Sequence, residues 1–236
     1  MAKFPTPFRD AFLRWETNEF WSGDLSLTLI TISLVTLVFV VTPLREAGLP
    51  GRFVFELVIA VLMVFGATAI GQSRIATILV ISFVLATAVV LGVGRTHPTP
   101  SLHKVGSVLA TITLLLYVRI VLIGMFRGGP ITWSRIQGGV STYLLLGMAW
   151  ASAYQVVEQF HPGSFHFVVT PTNFDQLISK LTYFSFSILT TVGGEITPVS
   201  PIARSLSIAE AMVGQLFPAI FMGALVAMAM QPHSKS

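Results

Sequence analysis

The sequence predicts an all-α integral membrane protein: six transmembrane helices and one short helix that enters the membrane and turns back. Three observations carry this reading. Hydrophobic residues make up 53% of the 236 positions and charged residues only 10%, where a soluble domain carries about a quarter. Mean hydropathy is +0.80. Apolar runs long enough for a hydrocarbon core of roughly 30 Å recur between short polar or Gly/Pro-rich breaks. Together these exclude a soluble globular domain, a disordered chain and a coiled coil, and the length leaves no room for a sizeable extramembrane domain. There is no cysteine, hence no disulfide, thiolate metal site or thiol nucleophile. The net charge of +4, from 14 Lys and Arg against 10 Asp and Glu, reads as loop charge that orients a membrane chain, with no nucleic-acid partner implied.

Residues 1–24 carry charges throughout and no apolar run, so they do not read as a cleavable signal peptide. Phe8, Phe12, Trp15, Phe20 and Trp21 alternate with those charges. That suits either a helix lying on the membrane surface or a frayed polar leader. Leu25–Val41 is the first apolar run and ends before Pro43 and Arg45. Phe53–Ile70 is the second and holds one carboxylate, Glu56. Gly71 to Arg74 form a tight turn, and Ile75–Val93 is the third run, closed by Gly94, Arg95 and the Pro98/Pro100 pair. Val105–Met125 is the fourth, with Arg119 inside it. Arg127–Arg135 reads as a loop with an interfacial Trp133, and Val140–Val157 is the fifth span.

The pattern then breaks. Gln159–Gln176 is polar and aromatic, and Leu177–Leu189 is apolar but short. A helix of that length reaches only about 20 Å, too little to span. It runs into Thr190-Thr-Val-Gly-Gly-Glu-Ile-Thr-Pro198, a small, polar, irregular stretch. Ala203–Met230 is the sixth span. Irregular backbone at membrane depth is tolerated only inside protein or along a water-filled path, so the half-helix and its Thr/Gly strand point to passage of an ion or substrate. The broken element occurs once, which argues against a transporter built from two matching halves. No catalytic spacing of His, Asp, Ser or Glu occurs in the spans, so an enzyme is not expected.

At Thr190–Pro198 the sequence resembles the filter signature of the potassium channel superfamily, TTVGYGDITP, with one residue missing. Phe174-Asp175 and Tyr183-Phe184-Ser185-Phe186 sit where that family's two-helix pore domains carry their pore helix, and Thr197–Leu206 resembles its TPVSPLARSL. Glu210, Gly214 and Gln215 follow at its inner-helix spacing. The resemblance covers about 140–230. It implies a tetramer around a central pore in the lipid bilayer of the cell membrane, with both termini cytoplasmic. Counting Lys and Arg gives seven on the inner side and six on the outer, a margin too thin to orient the chain alone. The implied organisation is an interfacial segment (1–24), a charge-poor four-helix domain in the voltage-sensor position (25–135), a pore domain (136–230) and a short tail (231–236).

The same resemblance implies that Thr190, Thr191, Val192, Gly193, Gly194 and Glu195 form a selectivity filter for monovalent cations, potassium and also sodium, with no cofactor and no other metal. Inward-pointing carbonyls would replace a cation's hydration shell. The family's tyrosine is absent, and with it one carbonyl layer and a ring that braces the filter, so preference for potassium over sodium is expected to be weak. A non-conducting scaffold or silencing subunit is the reading from another class. Gly214 and Pro218 mark a bend in the last helix, read as a gating hinge or else as a fixed kink or close helix contact. Arg119 lies deep in the fourth span without further basic residues at every third position, so an ion pair with Glu56 is expected rather than a voltage sensor. Glu158, His161 and His166 straddle a Pro-Gly turn and read as a solvated outer loop rather than a metal site.

Overall fold

The structure, a computed structural model, describes residues 24–46, 74–96, 99–125 and 133–230. The surface segment (1–23), the second apolar run with Glu56, most of the Arg127–Arg135 loop and the tail lie outside the described residues. Helix α1 (Asp24–Thr36) passes through one π turn (Leu37–Val41) into α2 (Thr42–Glu46). The sequence reading stopped this helix before Pro43, but the chain remains helical beyond it. Proline has no N–H and crowds the carbonyl four residues back. The widened turn accommodates it: the Thr42 N–H and its hydroxyl, at 2.9 Å, both reach the Leu37 carbonyl.

Helices α3 (Arg74–Thr96) and α4 (Pro100–Met125) follow. The latter starts five residues before the expected span because Pro100 is pre-set for a first helical position and the Thr99 carbonyl accepts from the Leu102 and His103 N–H groups. Helix α5 (Trp133–Phe160) likewise begins inside the stretch read as a loop. It is central to the bundle, packing on α1, α4 and the two helices that follow it. Among the described residues, three stretches are long and apolar enough to cross a membrane: Pro100–Ile123, Ile136–Phe160 and Pro201–Ala227. Thr28–Leu44 and Ile81–Gly94 are shorter apolar helices.

Beyond α5 the chain makes a two-residue strand β1 (Phe165–His166), the short helix α6 (Phe174–Leu189), a strand β2 (Thr197–Pro198) and the long helix α7 (Pro201–Ala229). The two strands pair antiparallel, Phe165 opposite Pro198 and His166 opposite Thr197.

Two apolar clusters organise the core. Ile30, Leu34, Val84, Tyr117, Val118, Val121, Leu144 and Leu145 join α1, α3, α4 and α5. Tyr154, Val157, Phe165, Leu181, Phe184, Ile196 and Ala203 join α5, α6, the loop between them and α7. Between the helices, hydroxyl and amide pairs take the place of charges: Thr31 with Ser141 at 2.6 Å, Thr87 with Thr113 at 3.1 Å, Thr111 with Ser152 at 2.9 Å and Gln159 with Ser107 at 2.6 Å. Such contacts, and small residues that let helices approach, are the means by which helices associate where lipid removes the hydrophobic drive.

Candidate functional site

Helix α6 is built to end inside the protein. Asn173 caps it, its Oδ1 accepting from the Gln176 N–H at 2.8 Å, while Gln176 Oε1 accepts from the Thr172 N–H and hydroxyl at 2.9 Å each. This local cap explains why the helix starts at Phe174 and not at Leu177. Asp175 in the first turn suits the positive end of the helix dipole. Asn173→Ala should cost about 1 kcal/mol per chain, read as a lower melting temperature of the purified protein.

At the other end, the last four carbonyls have no intrahelical donor by rule, and each finds a partner. Phe186 accepts from the Thr190 N–H at 3.0 Å, Ile188 from Thr191 at 3.0 Å and Ser187 from Gly193 at 3.2 Å. The Leu189 carbonyl accepts the Tyr143 hydroxyl at 3.0 Å. The strand after α6 is therefore hung from the helix end by its own N–H groups.

That hanging fixes the strand's conformation. Thr191 has φ 58° and Gly193 has φ 77°, both left-handed, with Val192 between them outside that region. Alternating handedness turns successive peptide planes so that N–H groups share one side and carbonyls the other. Here the Thr191 and Gly193 N–H groups are the ones bonded to α6. Thr190 to Glu195 are exposed, Val192 at 79%. Glycine takes φ 77° freely, whereas threonine at φ 58° is strained.

Gly194 follows Gly193 directly, where the resemblance would count a tyrosine between them. A Cβ built on Gly194 would lie 3.1 Å from the Tyr183 ring and 3.2 Å from Ser187 Oγ, so α6 itself packs against the backbone at this point. Glu195 is exposed and, with Lys180, Tyr183, Ile196 and residues Phe167 to Val169, borders a cavity of about 180 Å³ beside the loop between α5 and α6. Ile196 is buried and ends the strand.

The loop between α5 and α6 is organised by Glu158, whose carboxylate accepts from the Gly163 N–H at 2.9 Å and the Phe165 N–H at 3.1 Å. Ser164 then ties the loop to the segment after the strand, its carbonyl accepting from Val199 at 2.8 Å. Among the described residues no group of three His, Asp or Glu side chains is placed to hold a metal.

Helix α7 runs behind the strand. Gly214 is buried against the end of α6, where a Cβ would come within 2.2 Å of the Leu189 carbonyl oxygen. This gives the glycine a reason as a close contact. Gln215 Nε2 lies 3.4 Å from Thr191 Oγ1. Pro218 is inside the helix, which continues through it to Ala229. Arg119 is exposed on α4, and Glu56, its expected partner, lies outside the described residues. The structure thus sets Gly214 against Leu189, the residue before Thr190–Glu195, and Gln215 beside Thr191, while Arg119 is exposed on α4.

Sequence reasoning left Glu210 undecided and missed Tyr143 and Tyr154. Glu210 is fully buried on α7, and its carboxylate meets the Tyr154 hydroxyl and Ser185. Tyr143, Gly147 and Tyr154 recur at helical spacing along one side of α5. Tyr143 reaches Leu189, Gly147 lies against the Phe186 ring and Tyr154 reaches Glu210. A tyrosine stripe facing an intramembrane carboxylate was the available signal.

Residues 142–231 match a family model described as ion channel. No curated protein and no solved structure matches the chain. The matched stretch takes in most of α5, all of α6 and α7 and the strand between them, so this part of the chain is similar to an ion-channel pore domain. The match and the apolar helices support a membrane protein with channel-type ion conduction.

Proposed function

We propose that four copies of this chain assemble in the cell membrane as a cation channel of the potassium channel type, with Thr190–Glu195 as its filter and a weak preference for potassium over sodium. One observation carries the reading: a strand of alternating handedness at Thr191 and Gly193 has its N–H side bonded to the end of α6. With those N–H groups engaged, carbonyls turned away from the helix would form oxygen rings from several copies that replace the water around a monovalent cation. Two features favour assembly. Helix α7 is apolar but largely uncovered in the single chain, with Ile208, Met212, Leu216, Ile220 and Val226 exposed. An open groove of about 450 Å³ between the strand and α7, lined by Ile188, Thr191, Ser207, Ile208 and Ala211, suits a neighbouring copy.

The weak selectivity follows from the missing residue. One carbonyl layer fewer means fewer sites at which coordination is matched to potassium. Tyr183 from α6 supplies part of the lateral support at Gly194 but adds no oxygen to the strand. Both termini are placed on the cytoplasmic side in this reading. No cofactor or catalytic step enters.

Reversal potentials in lipid bilayers with potassium on one side and sodium on the other test this. Cation current with a small reversal potential is expected, from a particle near four times 25.6 kDa plus detergent. Absence of current would favour the scaffold reading, and strong potassium selectivity would show that the lost layer is assigned wrongly. Glu195→Gln should lower conductance most at low salt, because exposed carboxylates at the mouth concentrate cations and salt screens that effect.

A further inference from the structure

Glu210 is the one fully buried ionisable carboxyl on α7, and it sits at the junction of three helices. Tyr154 on α5 donates its hydroxyl to Oε2. Ser185 Oγ on α6 lies 2.5 Å from Oε1 and 2.7 Å from the Gly147 carbonyl of α5. Among the described residues no basic side chain pairs with it. Among the described residues the titratable groups of α5 near this point are Tyr154, in contact, and Tyr143, whose hydroxyl is turned to the Leu189 carbonyl, and α6 offers serine hydroxyls.

The protons can be counted. A carboxylate only accepts, and a serine hydroxyl has one proton to give. With Glu210 ionised, Tyr154 serves Oε2, and the single Ser185 proton must serve either Oε1 or the Gly147 carbonyl. One close oxygen–oxygen contact is then left with no proton in it, beside a buried charge with no counter-charge, a costly arrangement. With Glu210 protonated, Oε1–H donates to Ser185, Ser185 donates to Gly147, Tyr154 donates to Oε2, and every contact holds one proton.

We propose that Glu210 is a positioning residue that works as a neutral acid, a three-way hydrogen-bonded clasp joining α5, α6 and α7 behind the strand at Thr190–Glu195. It rests on the channel reading only for its effect on ion passage. Ser185 lies two residues before Ser187, whose carbonyl holds Gly193, so the clasp sets the seat from which the strand hangs.

The test is infrared spectroscopy of the full chain in lipid vesicles at neutral pH, which reads the carboxyl whether or not current flows. The carbonyl stretch of a protonated carboxylic acid should be present, should vanish in Glu210→Gln, and should shift without vanishing in Tyr154→Phe. The shift in Tyr154→Phe assigns the band independently of the glutamine variant. In melting and reversal-potential measurements Glu210→Gln should match wild type, because an amide can accept from Tyr154 and donate to Ser185, whereas Glu210→Ala should melt lower. Absence of the protonated band, or a glutamine variant as impaired as the alanine one, would overturn the proposal. So would an alanine variant indistinguishable from wild type. Absence of current alongside the band would count against the channel reading and leave the clasp standing.

Discussion

Gly214→Ala should abolish most conduction and lower the melting temperature of the assembled protein. A Cβ at this position would lie 2.2 Å from the Leu189 carbonyl oxygen, 2.9 Å from its carbon and 3.0 Å from its Cα. These are backbone atoms of a buried residue, and the same carbonyl is held by Tyr143 at 3.0 Å. No side chain can rotate away, so α7 and the end of α6 must separate. Overpacking of this kind costs about 1–3 kcal/mol in each copy, and the displaced element carries the strand. The hinge reading predicts otherwise: loss of a flexible point changes opening and closing while thermal stability stays put. Gly223→Ala is the control on the same helix. Among the described residues nothing outside its own helix backbone lies within 4 Å of its Cβ position, and alanine is the better helix former by about 1 kcal/mol. A Gly214→Ala protein that melts with wild type but gates abnormally would favour the hinge.

Gly193→Ala should leave assembly nearly intact and remove most of the current. Within the single chain no described residue lies within 4 Å of a Cβ built here, so the obstacle is conformational. At φ 77° an L-residue with a Cβ pays about 1–2 kcal/mol. The strand can relieve that strain by rotating a peptide plane, which turns a carbonyl away from its fellows and disturbs the bond from the Gly193 N–H to Ser187. Thr191 already holds φ 58° against its preference, so the strand has little tolerance for a second strained position. Native mass and single-channel current on the same preparation separate the two substitutions: Gly214→Ala alters stability and current together, Gly193→Ala current alone.

Much of the pore half was legible because its signals are local. The short apolar helix, the Thr/Gly strand and the long last helix follow from run length and composition, and α6 and α7 lie within a few residues of where those signals put them. The boundaries that moved did so through local chemistry the run lengths do not express. A π turn carries α1 past Pro43, Pro100 opens α4 early, and the Asn173 cap starts α6 early. The contacts that give single residues their roles were not legible, because they join distant parts of the chain. Glu210 meets Tyr154 across 56 positions, and Leu189 meets Tyr143 across 46. Nor could the sequence tell a hinge glycine from a contact glycine, since both are simply Gly followed by Pro one turn on. The chain shows only in three dimensions that Tyr183 comes up against Gly194.

The strand at Thr190–Glu195 is a short span of chain clamped at both ends. One end is bonded to the last turn of α6, and the other is fixed by buried Ile196 and by the pairing of Thr197–Pro198 with Phe165–His166. A tethered segment of this length has no slack for lateral excursion. The motion left to it is crankshaft rotation of individual amide units, coupled in opposite senses on either side of a pivot so that the ends stay put. Such rotations need no rearrangement of the bundle, so hydrogen exchange at the Gly193 amide should proceed by opening of that one bond to Ser187 while the amides of α6 remain protected.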